Sequence, residues 1–192
     1  LVITRVKSGA TSATSTMKVC YGGHGTNMAV CRIDGKVYIF CGGKAELKDD
    51  GSETVSKYTA FFRYVGGATV NLTKDSFTYD GTTYPITYFK KGHNQYPSID
   101  EGNRLFAYRT TGTNDAGTTI SNFFVYDLDD VLTNGTNATL LKKVVVTKGE
   151  ESTGNYGDNG YQTWDHQGWT INGDFIYIGE GVGTWTSTAY NG

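Results

Sequence analysis

Only two prolines and three cysteines stand among the 192 residues. No stretch carries apolar residues at i, i+3, i+4 and i+7 over three turns, so a fold built on packed amphipathic helices is excluded. Basic residues show no surplus: 17 stand against 19 acidic ones, for a formal net charge of −2. A protein that neutralises phosphates normally shows a basic field, so this balance argues against nucleic acid as a partner, and none is expected. No apolar run nears the roughly 20 residues of a membrane-spanning helix, and no membrane span is expected. The odd cysteine count leaves at least one thiol free, and no Cys-x-x-Cys pair offers a structural zinc site. Gly-x-Ser-x-Gly, P-loop and HExxH motifs are absent too. There is neither an initiator methionine nor a signal peptide. The chain opens on a strand-like run at 1–6, so either a leader has been removed or this is a piece of something longer, and the last strand pattern, which breaks off at Asn191-Gly192, favours the piece.

What is present points to β structure. The chain has 14 Tyr, 9 Phe and 3 Trp with 26 Gly, which is aromatic surface for pleated sheets and glycine for the turns between them. Residues 28–33 and 36–41 flank Asp34-Gly35, the dipeptide that a type I′ hairpin turn requires, and the design recurs at Asp80-Gly81 and around Asn172-Gly173. Further strands are expected at 57–65, 68–78, 82–89, 104–110, 121–128, 141–147 and 174–179. A two-residue turn at Asp34-Gly35 sets Tyr38, not Cys41, opposite Cys31, so no disulfide is expected among Cys20, Cys31 and Cys41. Two long polar stretches, 42–56 and 148–161, read as surface loops, where binding residues commonly sit.

A repeat emerges with the three histidines as anchors. His24, His93 and His166 each precede a short strand, a turn with glycine, and an apolar strand; the anchors lie 69 and 73 residues apart. The first two copies continue alike, into Phe61-Phe62-Arg63-Tyr64 and Phe123-Phe124-Val125-Tyr126. Each then adds an outer strand, at 68–72 and 138–144. Four antiparallel strands per unit is how a propeller blade reads in sequence. The fold class expected is all-β, with 1–192 forming a single β-propeller domain or part of one. The histidines read as structural residues that bond a neighbouring blade, and neither a metal nor a cofactor is expected.

Gly22-Gly23-His24, the stretch from His93 through Ser98, Asp100 and Ala107 to 124–129, and Gln167-Gly168 leading into 175–178 together resemble the helveticin-like large bacteriocins. They also resemble the propeller platform of receptor-binding tail proteins from phages of Gram-positive bacteria. The resemblance runs through most of the chain in the same order. It implies a five-bladed propeller, extracellular or on the virion, that recognises a cell-wall glycopolymer such as teichoic acid, and in the phage case a homotrimer. Its ligand is polyanionic while this chain is slightly acidic, which leaves binding to aromatic stacking and neutral hydrogen bonds, or to cationic loops outside this segment.

The densest local cluster is 161–169, with Trp185 downstream. Sugar sites combine an aromatic face for the C–H side of a pyranose with planar amides and carboxylates for its hydroxyls. The candidate ligand-binding residues are accordingly Tyr161, Trp164, Asp165, Gln167 and Trp185, and Trp169 reads as core, at a strand position equivalent to Cys31 and Ser98. No catalytic residue is assigned. A propeller glycosidase would need two carboxylates about 5–10 Å apart. Asp100, Glu101, Asp165 and Glu180 are its candidates, but Glu101 flanks a hairpin turn, where an acidic residue is expected anyway. A structural virion or repeat protein without ligand is the third reading.

Overall fold

The computed structural model describes residues 1–23, 28–54, 56–91, 96–117, 119–147 and 165–181. Four sheets hold its strands. Sheet I joins β1 (Val2–Val6), β2 (Ala13–Cys20) and β6 (Thr69–Asn71). Sheet II has the order β3 (Met28–Ile33), β4 (Lys36–Gly43), β5 (Tyr58–Arg63), β8 (Thr82–Lys91), β7 (Ser76–Tyr79). Sheet III orders β9 (Tyr96–Asp100), β10 (Leu105–Thr113), β11 (Thr119–Asp127) and β12 (Leu140–Thr147). Sheet IV is the hairpin of β13 (Asp165–Asn172) and β14 (Phe175–Gly181). One short helix, α1 (Leu128–Asn134), leads from β11 towards β12.

Turn chemistry explains the hairpins. Asp34 and Gly35 take φ of 48° and 72°, and Asp80 and Gly81 repeat those values, which is the pair of left-handed conformations a type I′ turn demands. Asn172 pairs with Phe175, so Gly173 is the first turn residue, at φ 54°, the place a type II′ turn reserves for glycine.

Three apolar layers separate the four sheets. Ile3, Met17, Val19 and Val70 of sheet I meet Ile39, Ala60, Phe62 and Ile86 of sheet II. Phe40, Phe61 and Phe89 of sheet II meet Phe106, Tyr108 and Tyr126 of sheet III. Ala107 and Val125 of sheet III meet Ile171, Trp169 and Ile176 of sheet IV. Successive side chains of a strand point to opposite faces, so a strand packed on both sides must be apolar throughout. Hence 39–41, 60–62 and 106–108 are continuous apolar runs with every residue buried.

The three anchored hairpins take the same place in successive sheets. β3, β9 and β13 are each an edge strand, and β9 lies between β3 and β13. Backbone donors cross both seams. Arg32 N–H donates to Glu101 Oε1 at 3.0 Å, Gly173 N–H to Asp100 Oδ2 at 2.7 Å, and Ile171 N–H to Ser98 Oγ at 3.2 Å.

Several expectations fail locally. The strand expected at 68–78 is broken: the Asn71 side chain accepts from the Thr73 amide (2.9 Å) and hydroxyl (2.7 Å), and Lys74 N–H turns back to Asn71 O (3.1 Å). Its first half does not lie beside β5; it pairs parallel to β2, and β8 takes the place beside β5. Four antiparallel strands therefore describe sheet III alone, while sheet II has five and sheet I contains a parallel pair. β2 and α1 were not anticipated. The helix is seven residues long, too short to show a period, and starts where the Asp127 carboxylate caps the Asp130 amide at 2.8 Å. The stretch 42–56 is no open loop. Gly42 and Gly43 complete β4, Leu47 bridges to Glu53, and Lys48 N–H bonds Ser52 O at 2.8 Å.

Register sets Cys31 opposite Tyr38 and Met28 opposite Cys41, and all three cysteines are free thiols. Burial pushes the Cys31 thiol up to about 11 and that of Cys41 to about 12, while Cys20 is exposed. Only the thiolate reacts readily. A thiol reagent at neutral pH should therefore consume one equivalent quickly from the native chain and three after denaturation without reductant. Two fast equivalents, or fewer than three in total, would contradict this arrangement.

Candidate functional site

The predicted sugar-binding run leads into sheet IV. Tyr161, Trp164 and Trp185 lie outside the described residues, whereas Asp165 and Gln167 belong to β13. Asp165 pairs with Gly181 and His166 with Glu180; the register then slips, and Gly168 faces Gly179. Gln167 is the extra residue of that β-bulge. A bulge twists its strand and re-aims the side chains beside it, and bulges concentrate next to binding sites.

Trp169, expected in the core, is half-buried and stands edge-on to Phe123 with centroids 4.9 Å apart. Its indole Nε1 is buried and has no hydrogen-bond partner among the described residues. The proposed equivalence with Cys31 and Ser98 needs correction by one position. Cys31–Tyr38, Ser98–Ala107 and Thr170–Tyr177 are each two pairs inside the hairpin's closing pair, so the matching residue is Thr170. Its Oγ1 lies 3.3 Å from Ser98 Oγ, one inner strand touching the next.

The acidic candidates at the seams have structural partners. Asp100 accepts from the Asn103 amide (3.0 Å), the Asn103 side chain (2.6 Å) and the Gly173 amide (2.7 Å). The Asn103 side chain first, and then these amides, hold the Asp100 carboxyl below the ordinary carboxylate range, opposite to what a general acid needs. A group with its folded pKa lowered contributes stability above its unfolded pKa and loses it as pH falls through the folded one. Grip on the β13–β14 hairpin should thus be constant at neutral pH and weaken only below about pH 4. Asp100→Ala should speed amide exchange at Gly173 and Asn103 without changing exchange in the layer between sheets II and III. Unchanged exchange at Gly173 would remove Asp100 from this role.

A shallow cleft of about 260 Å³ opens at the other seam, lined by Val30, Cys31, Arg32, Val37 and Glu101. Glu101 stands in the sequence as a glycosidase candidate beside a hairpin turn, but the cleft itself leaves no local signal, because β3, β4 and the β9–β10 turn meet there only in three dimensions. It combines apolar walls with a guanidinium and a carboxylate, whereas the protonated Cys31 thiol supplies no nucleophile. Among the described residues, no three His, Cys, Asp or Glu side chains are grouped to hold a metal. No helix among them is long and apolar enough to cross a membrane. No protein family matches this chain, and no curated protein matches it either.

Proposed function

We propose that the chain belongs to a β-propeller that binds a cell-surface glycan of the wall-teichoic-acid type, outside the cell or on a virion. It would serve there as a phage receptor-binding protein, trimeric in that setting, or as a secreted bacteriocin. The observation that carries the propeller reading is the succession of equivalent hairpins, with β3, β9 and β13 edge to edge. Blades arranged about an axis put their first strands side by side in this way.

A second feature supports further blades. In β4, Tyr38 and Phe40 face the following sheet, and in β10 Leu105 and Ala107 do. By hairpin register the corresponding residues of β14 are Phe175 and Tyr177, and they are 66% and 56% exposed. Among the described residues no sheet covers this face, and a fifth blade would cover it.

For glycan recognition the support is placement. Asp165 and Gln167 lie at the end of β13 away from its turn, Gln167 in the bulge, and Tyr161 and Trp164 shortly precede them in the sequence. Trp164→Ala and Trp185→Ala should each weaken retention on purified Gram-positive cell walls by about 1–2 kcal/mol, roughly five- to thirtyfold, with the melting temperature little changed. Early unfolding of both variants would assign these residues to packing between blades, and normal folding with undiminished retention would move the site elsewhere. Turnover of a wall polymer would favour the glycosidase alternative. Binding to no glycan at all would favour a structural virion or repeat protein.

A further inference from the structure

At the opposite corner of sheet II, Lys44 combines two uncommon features. It adopts φ 53°, a left-handed conformation natural to glycine and asparagine and disfavoured for lysine. It also carries a half-buried side chain with no carboxylate partner among the described residues. Lys57, in the same connection between β4 and β5, is paired with Glu46 instead.

The geometry holds the Lys44 ammonium in place. Lys44 N–H donates to Leu72 O at 3.1 Å and anchors the left-handed turn. Its Nζ lies 4.0 Å from the centroid of the Tyr88 ring and 5.2 Å from that of Tyr58. These rings meet edge to face at 6.0 Å, and the Tyr88 hydroxyl donates to Lys74 O at 2.7 Å. Gly43 makes room, since a Cβ there would stand 2.9 Å from Ala60 Cβ and 3.1 Å from Tyr88 Cε1. The Tyr88 hydroxyl has its pKa raised by burial and then by Asp75, so it stays a neutral donor. Lysine ordinarily loses much side-chain freedom when it meets an anion. Two ring faces have already restrained this one, and a preorganised donor binds more tightly for the same contact.

We propose that Lys44, Tyr58 and Tyr88 form a subsite for a saccharide bearing an anionic group, carboxylate or phosphate. The ammonium meets the charge and the exposed parts of the two tyrosines meet the sugar. This rests on the glycan-binding reading and supplies the cationic contact that the composition did not reveal. The test uses four probes in titration calorimetry: glucose, glucuronate, glucose 6-phosphate and inorganic phosphate. The native chain should bind a charged sugar at least tenfold more tightly than glucose, and inorganic phosphate no better than glucose.

Lys44→Asn keeps a residue that tolerates the left-handed turn, so it should fold with an unchanged or higher melting temperature. It should also lose the tenfold preference while keeping the affinity for glucose. Lys44→Arg should keep most of the preference. A preference that survives Lys44→Asn would overturn the subsite, as would neutral binding without any preference in the native chain. Inorganic phosphate bound as tightly as the sugar phosphate would reduce it to an anion site and overturn its saccharide specificity. Failure of every sugar, together with failure of retention on intact walls, would sink the subsite along with the glycan reading.

Discussion

Phe106→Ala should cost about 3–5 kcal/mol of folding stability. Phe106 has no exposed surface, and its ring stands at the meeting of two sheets. Its centroid lies 5.1 Å from Phe40 and 5.2 Å from Phe89, with Tyr108 and Tyr126 each at 6.4 Å. The neighbours are rigid rings on β4, β8, β10 and β11, so they cannot collapse into the space a deleted phenyl leaves, and the cavity term adds to the lost transfer term. Ordinary domains are stable by about 5–15 kcal/mol. The loss is therefore a large fraction, and a fall in melting temperature of roughly 10–15 °C is expected for a chain of this size. Phe175→Ala removes the same atoms from a site that is 66% exposed, and its cost should stay within about 0.5 kcal/mol. Urea melts of the two variants make the comparison. Equal losses would mean that the aromatic layer between sheets II and III is not the main core.

Glu53→Ala should cost about 2–3 kcal/mol of folding stability. One Glu53 oxygen accepts from the Tyr21 amide at 2.7 Å and the other from the Gly23 amide at 2.8 Å. Both donors lie in a kinked exit from β2, where Tyr21 has φ 64° and Gly23 has φ 70°. Those left-handed conformations point the two amides at one carboxylate. Glu53 is itself fixed by the bridge between Leu47 and Glu53. Alanine leaves two half-buried N–H groups without their acceptor, and the lost bonds are of the stronger, charge-assisted kind. Glu53→Gln keeps one acceptor oxygen and should lose about half as much. The measurement is chemical denaturation of all three proteins. Equal stability of all three proteins would show that neither bond contributes.

Local chemistry made much of the fold legible. Asp34-Gly35 and Asp80-Gly81 announce hairpins because few other dipeptides accept two successive left-handed conformations, and the structure uses both. The runs at 39–41, 60–62 and 106–108 announce strands buried on both faces because no polar position interrupts them. The freedom of the cysteines also follows from register, since a two-residue turn leaves no choice of partner for Cys31.

Partner choice was less legible. Residues 69–71 and 76–79 carry the same alternation as any outer strand, and nothing local says that the first joins β2 in parallel and the second joins β8. β2 hid in a run of Ser and Thr, with only Met17 and Val19 turned inward. Of the candidate site, Asp165 and Gln167 are named from residue type alone, and the bulge between them and Gly168 arises from pairing with β14. Lys44, Tyr58 and Tyr88 come from three separate places in the sequence, and no motif connects them.

By itself, then, the sequence determined that this protein is all-β, where its hairpins turn, which histidine-anchored units repeat, and that its thiols stay unpaired. Those properties depend on backbone conformation and side-chain period over a few residues, and short-range sterics settle them. Only the tertiary structure decided the order of the four sheets, the parallel pairing of β6, the conversion of Asp100 and Glu101 into ties across the seams, and the meeting of Lys44 with two tyrosines. Each of these depends on which distant surface a strand buries, and many pairings satisfy one alternating pattern until packing on both faces selects among them.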